Sequence, residues 1–246
     1  TDNFWVGAGI NIGYGQFKYK APFDIKGVFL PIGTDNEADG FGLGATVGML
    51  YLPTEKLSLG LTYMSELKAD LNGESDISIG LIKIHDQFDS DFTFPPRLGL
   101  GIAYQFTDRL LMDLDANWYG YCKTVDSMKL DFDKLHFTKT SDLDWRDNYS
   151  FHLGARYKLN DDWWLRGGVG YQTAAVPDST ISQLTPDATG WDVALGIECQ
   201  KDHFSFSTGI IYGWGENDVE PDFGVLHPGK YEARTLTVCA QVGWQF

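Results

Sequence analysis

Apolar and polar side chains alternate along most of this chain, and a strand sends successive side chains to opposite faces. Near the C-terminus Leu236, Val238, Ala240, Val242, Trp244 and Phe246 share one face, while Thr235, Thr237, Cys239, Gln241, Gly243 and Gln245 share the other. Further back, Trp191, Val193, Leu195 and Ile197 oppose Asp192, Ala194, Gly196 and Glu198. The segments from Tyr149 to Lys158 and from Leu110 to Trp118 alternate in the same way. A soluble sandwich would alternate too, but here the polar face is small, glycine-rich and charged, and the apolar face is long and rimmed by aromatics. That is the inverted arrangement of a membrane barrel, with lipid outside and a wet lumen inside.

The connections are of two kinds. Tyr51-Leu-Pro-Thr-Glu-Lys-Leu57, Tyr104-Gln-Phe-Thr-Asp-Arg-Leu110, Tyr157-Lys-Leu-Asn-Asp-Asp-Trp163 and Cys199-Gln-Lys-Asp-His-Phe204 are tight polar turns between alternating runs. They read as one repeated hairpin unit. The intervening connections, roughly 21–40, 72–91, 123–144, 174–189 and 217–232, are longer and acidic. Short turns at one rim and long loops at the other match the two ends of an outer-membrane barrel. Runs at roughly 4–20, 41–52, 57–72, 92–106, 109–122, 145–159, 163–176, 190–200, 203–216 and 233–246 give about ten strands. Each is near or above the ~9–11 residues that a tilted spanning strand needs. The predicted fold is therefore all-β, an antiparallel transmembrane β-barrel occupying residues 1–246 as a single domain. An even strand count puts both termini at the short-turn, periplasmic rim. Tyr51, Tyr104, Phe106, Tyr157, Trp163, Phe204 and Trp244 are predicted for the lower aromatic girdle. Tyr63, Trp118, Tyr149, Tyr171, Trp191 and Tyr212 are predicted for the upper one.

Composition agrees with this reading. No apolar run approaches the roughly 20 residues of a spanning helix, and the mean hydropathy is −0.22. Aromatics at 15% and 28 glycines suit strands and turns. A net charge of −15 argues against a nucleic-acid partner, whose phosphates it would repel. The acid concentrates at Asp35–Asp39, His85–Asp91, Asp126–Asp133 and Glu216–Asp222, read as solvated loops. Cys122, Cys199 and Cys239 are far apart and odd in number, which gives neither a disulfide framework nor a zinc site. The chain opens on Thr1 without a leader, as expected if a signal has been removed or the start lies partway into a longer protein. Phe246 closes an alternating strand, and a terminal aromatic there resembles the assembly signal of bacterial outer-membrane proteins.

Several stretches resemble the FadL family of long-chain fatty acid transporters, which includes the TodX-type hydrocarbon channels. They are Phe4-Trp-Val-Gly-Ala-Gly-Ile-Asn-Ile-Gly-Tyr14, Phe94-Pro-Pro-Arg-Leu-Gly-Leu-Gly-Ile-Ala-Tyr104, Trp145-Arg-Asp-Asn-Tyr149 and Leu153-Gly-Ala-Arg-Tyr-Lys-Leu-Asn-Asp161. The most specific is Trp164-Leu-Arg-Gly-Gly-Val-Gly-Tyr171, followed by Val176-Pro-Asp178, Pro186-Asp187 and Trp191. The resemblance implies a 14-stranded barrel with an N-terminal hatch in its lumen, of which this chain holds the last ten strands and lacks the hatch and first strands. It also implies passive, non-enzymatic uptake of a long-chain fatty acid or an aromatic or aliphatic hydrocarbon. Capture is by outer loops, passage is through a lumenal pocket, and exit is sideways through a gap in the wall. Pro95-Pro96 could shape such a gap. The expected setting is the bacterial outer membrane, with lipid and lipopolysaccharide around a monomer. The alternative is a structural or adhesive barrel whose long acidic loops bind a surface partner.

Candidate ligand-binding residues follow from what a greasy substrate with a charged head requires. Phe23, Ile25, Val28, Phe29 and Leu30 form one apolar cluster in a polar loop, and Ile77, Ile79, Leu81, Ile82 and Ile84 form another. Arg146 matches a basic position that the family pattern associates with the ligand head group, and Lys18 is a second candidate; an ion pair between Arg146 and Asp147 or a loop carboxylate is the competing role. Glu66, Lys68, Arg97, Asp113, Asp115, Arg156, Lys158, Arg166, Asp192 and Glu198 are assigned to the lumen, as mutually paired charges bracing the wall. Catalysis, a metal and a cofactor are not indicated. Ser150 and His152 share a face without an oxyanion site or third partner. His85-Asp-Gln-Phe-Asp-Ser-Asp91 lacks calcium-loop spacing, and Gly99-Leu-Gly101 has no helix to follow it.

Overall fold

Three of the four repeated turns are built the same way. Thr54 Oγ accepts the N–H groups of Lys56 and Leu57, at 3.3 and 3.1 Å. Thr107 does the same for Arg109 and Leu110, at 3.3 and 3.1 Å. Asn160 Oδ1 takes Asp162 and Trp163, both at 3.0 Å. One short polar side chain at the fourth position of each of these three units thus closes the turn, whereas Asp202 at the same position of the fourth unit adopts a positive φ of 50°.

A computed structural model of the chain describes residues 3–23, 32–79, 81–134, 136–181, 187–219 and 229–244. Its strands are β1 (Phe4–Phe23), β2 (Ile32–Thr54), β3 (Leu57–Met64), β4 (Leu67–Ile79), β5 (Ile82–Phe94), β6 (Arg97–Thr107) and β7 (Leu110–Tyr119). A 3-10 turn at Tyr121–Lys123 precedes β8 (Ser127–Phe132) and β9 (Phe137–Asp142). The strands β10 (Asn148–Lys158), β11 (Trp163–Gln172), β12 (Thr189–Lys201), β13 (Phe204–Val219) and β14 (Gly229–Trp244) complete it. All pair antiparallel in one sheet, whose spanning part runs β14-β13-β12-β11-β10-β7-β6-β3-β2, with β1 beyond β2. The hairpins β4–β5 and β8–β9 rise above this wall, which leaves ten spanning strands among the described residues. Among the described residues β1 pairs only with β2 and β14 only with β13, so the sheet is open.

The large side chains of the wall face outward and are exposed: Ile10 is 81% exposed and Leu195 59%. Aromatics bound this apolar band. On β10, Tyr157 and Tyr149 are eight residues apart, which is about 27 Å along the strand and about 20 Å after tilting. The lumenal face is small and polar. An ideal Cβ on Gly154 would come within 2.6 and 2.7 Å of the two Asp113 carboxylate oxygens on the paired strand β7. Gly154→Ala is expected to push Asp113 aside and cost about 1 kcal/mol, seen as a lower urea midpoint of the folded form. An unchanged midpoint would mean that Asp113 has room to move.

The connections differ from the expectation. The acidic stretches Asp35–Asp39 and His85–Asp91 are strand, in β2 and β5. Part of 126–133 is strand too, in β8. Their polar residues are one face of a sheet above the membrane, with Glu37, Asp39, Asn72 and Glu74 outward and Ala38, Gly73 and Phe88 inward. The buried core sits there: Ala38, Phe88 and Phe132 pack with Leu71 and Ile77. Asp86 is inward and fully buried, whereas Asp89 is on the outward face, so the acids of His85–Asp91 are divided between the two faces of the sheet.

Lys68 is another correction. β2 pairs with β3 as Thr46↔Met64 but with β4 as Leu43↔Lys68, so one extra residue is inserted at Ser65–Glu66. Ser65 fills the bulge: its N–H bonds Ala45 O and its hydroxyl accepts Ala45 N–H at 2.9 Å. The insertion reverses the faces beyond it and turns Lys68 outward, 3.7 Å from Asp70. In the lumen, Glu198 on β12 ties Arg156 on β10 to Arg166 on β11, as the paired-charge reading expects.

Candidate ligand cavity and binding residues

Above the spanning part of β7, β10 and β11 the lumenal face carries Tyr119, Asn148, Ser150, His152 and Gln172 instead of glycine. Two connections close over them. Residues 173–181 are pinned by Asp187, whose Oδ2 accepts the N–H groups of Ala175 and Val176 at 2.6 and 3.1 Å. Thr180 Oγ donates to Leu143 O at 2.7 Å, and Val176, Ile181 and Val219 pack against Trp145. The 3-10 turn is held from the other side, since Asp147 accepts the Cys122 N–H at 3.0 Å and the Trp118 indole N–H at 2.9 Å. Burial raises the Asp147 pKa, but these hydrogen bonds outweigh it and hold the carboxyl below its usual range.

The result is a cavity of about 410 Å³ with an aromatic wall and amide, hydroxyl and imidazole groups at its base. Tyr121 and Trp145 face each other there, with centroids 5.4 Å apart. Burial first, and then Asp187 and Tyr119, push the Tyr121 phenol up, so it stays neutral. The indole nitrogen of Trp145 is buried without a hydrogen-bond partner. A pocket of this size, with an aromatic side and a larger polar share from Asn148, Ser150, His152, Gln172 and Asp187, has room for one small molecule. Among the described residues no group of three or more His, Cys, Asp or Glu side chains is placed to hold a metal ion.

The predicted binding residues divide between two places. Arg146 follows Trp145 in the chain but is exposed and is not among the residues lining the cavity; its backbone N–H donates to Ala175 O at 2.8 Å, and among the described residues no ion pair engages its guanidinium. Its neighbour Asp147 is committed to Trp118 and Cys122. Lys18 is elsewhere, on the outward face of β1, 2.6 Å from Glu37. Phe23, Ile32, Ile79 and Ile82 stand in one register row across β1, β2, β4 and β5, although only the backbone of Phe23, Ile32 and Ile79 is described. Leu81 is fully exposed at the tip of the β4–β5 hairpin and Ile82 is 63% exposed. Ile77 is instead drawn into the core beneath. Ile25, Val28, Phe29 and Leu30 lie outside the described residues. The reading of the sequence missed Tyr121, Asn148 and Gln172. The available signal was bulky polar groups at positions where the lumenal face is otherwise glycine.

The family model described as outer membrane protein transport protein (OMPP1/FadL/TodX) matches residues 1–226. Outer membrane protein P1 of Haemophilus influenzae is 28% identical over 165 residues, which are 63% of this chain and 35% of that protein. The long-chain fatty acid transport protein of Salmonella typhi is 25% identical over 209 residues, 76% of this chain and 42% of that one. The chain therefore spans well under half the length of these relatives. Among solved structures, a Pseudomonas aeruginosa FadL homologue superposes with a TM-score of 0.81 at 19% identity, over 98% of this chain and 63% of the other. The CymD monoaromatic hydrocarbon channel gives 0.78 at 18% identity, over 99% and 70%. At these identities the likeness concerns the fold alone.

Proposed function

Because the chain belongs to the outer membrane protein transport family OMPP1/FadL/TodX, we propose that it forms part of a channel for passive uptake of hydrophobic small molecules, long-chain fatty acids among them. The observation that supports this reading is the cavity of about 410 Å³ walled by Tyr121 and Trp145, with the exposed Arg146 next in the chain. The rings of Tyr121 and Trp145 offer apolar surface to a chain or ring. Arg146 offers a counter-charge to a carboxylate. Leu81 and Ile82 at the hairpin tip provide a first landing point above the membrane. The two unpaired edges complete the picture. In lipid every backbone N–H and C=O needs a partner, so the free edges of β1 and β14 call for further strands that close the wall, with both termini at the short-turn, periplasmic rim.

The head-group role separates two ligand types. Arg146→Ala is expected to weaken palmitate binding about tenfold, the order of one charge-assisted hydrogen bond, and to leave naphthalene binding unchanged. Titration of the detergent-extracted protein by intrinsic fluorescence measures both. Equal losses for the two ligands would remove Arg146 from the role, and no binding of either would remove the uptake reading.

A further inference from the structure

The groups that line the cavity bear on what it can hold. Tyr121 and Trp145 lie 5.4 Å apart and 57° to one another, and Tyr119 stacks on Tyr121 at 6.5 Å. The polar groups are of two kinds. Asn148 Nδ2 donates to Thr173 O, and the buried Ser150 hydroxyl accepts from Asn117 Nδ2 at 3.3 Å. By contrast, the His152 ring, the Gln172 amide and the Tyr119 and Tyr121 phenols make no hydrogen bond among the described residues, and His152 and Gln172 are exposed. A bare hydrocarbon would displace water from these groups and offer nothing in return.

The surrounding charges act on the charge of a ligand. Among the described residues the lining holds no lysine or arginine, and its one acidic group is Asp187. The floor is a single row of paired residues, Asp115–His152–Gly170–Asp192, across β7, β10, β11 and β12. Gly170 has no side chain, and both the Asp192 carboxylate and the His152 ring lie over it. Unlike Glu198 further down, Asp115 and Asp192 have no ion pair among the described residues, so the paired-charge reading does not extend to them. A carboxylate entering this space therefore meets like charge at its side and beneath it. An ammonium is opposed as well. The Arg97 guanidinium lies over the Tyr119 ring, 5.2 Å from its centroid, and donates to Asn117 Oδ1 at 2.8 Å.

We infer that the cavity takes an uncharged ring bearing one hydroxyl, of the phenol or aromatic alcohol class, ahead of both the bare hydrocarbon and the ring carboxylate. Tyr121 and Trp145 hold the ring. A hydroxyl both donates and accepts, and Gln172 and His152 together answer it. They are diagonal neighbours on β11 and β10, since Gln172 pairs with Ser150, a spacing that long side chains bridge. The inference rests on the uptake reading and names the ligand of its cavity; a fatty acid carboxylate is left to Arg146, outside the lining.

Three ligands with one ring system test it: naphthalene, 2-naphthol and 2-naphthoate, titrated calorimetrically at pH 7 into the full-length protein in detergent, with the micelle blank subtracted. 2-Naphthol is expected to bind about fivefold more tightly than naphthalene, the order of one neutral hydrogen bond. It should bind about tenfold more tightly than 2-naphthoate, which carries the like charge. In Gln172→Leu and in His152→Leu the preference for 2-naphthol over naphthalene should fall toward one. In Asp192→Asn the affinity for 2-naphthoate relative to 2-naphthol should rise several-fold. Naphthalene or 2-naphthoate bound as tightly as 2-naphthol would overturn the inference and leave uptake intact, as would ratios that none of the three substitutions moves. Binding of none of the three ligands would overturn both readings.

Discussion

Leu195→Arg is expected to destabilise the protein in lipid by about 2–4 kcal/mol, the cost of a cation near the middle of a barrel's lipid face. Leu195 lies halfway along β12 on the outward side, 59% exposed and paired with Gly167 and Ile210. Thr237 on β14 lies at nearly the same depth, in register with Ile211, but faces the lumen. Thr237→Arg should therefore change stability by no more than about 0.5 kcal/mol, as a surface substitution does. Urea unfolding in phospholipid vesicles, followed by tryptophan fluorescence, reads both. The contrast tests the inside-out reading directly. In a water-soluble sheet an exposed leucine can become arginine at little cost, so equal and small effects at the two sites would mean that this face does not meet lipid.

Much of this was legible because the membrane imposes a two-residue period. Val193, Leu195 and Ile197 against Asp192, Ala194 and Gly196 leave one register in which lipid meets only apolar groups. The turns were legible for a local reason, since Thr54, Thr107 and Asn160 each close a turn within three residues. Above the membrane that logic lapses. The inward residues of β2 and β4 there include Gly40, Gly42, Ala69 and Ser75, which are too small to stand out against acidic neighbours, so strands read as loops. The bulge at Ser65 was hidden for another reason. Its signature is a serine hydroxyl taking the place of a backbone carbonyl, which has no hydropathy. The cavity was only partly legible. Arg146, the residue the resemblance pointed to, is not part of its lining, and Tyr121, Asn148 and Gln172 belong to different elements and are brought together only by antiparallel pairing.

Glu198→Ala is expected to cost about 2–3 kcal/mol, toward the lower end of breaking a buried ion pair because part of the cluster meets water. The reason lies in the register. Arg156 and Arg166 stand directly opposite one another on β10 and β11, and like charges so placed destabilise a sheet. Glu198, only 13% exposed, reverses that by accepting from Arg156 Nη2 at 3.0 Å and pairing with Arg166. Arg156 is also fixed over the Trp164 ring, 4.7 Å from its centroid, and cannot swing away without losing that contact. Removing the carboxylate therefore leaves two facing cations rather than two free ones. It follows that Arg166→Ala in the Glu198→Ala background should restore stability, although the same change alone should lower it. A double-mutant cycle by urea unfolding gives the sign. Additive losses would mean that the two arginines do not repel, and that Glu198 contributes only a local hydrogen bond instead of joining three strands.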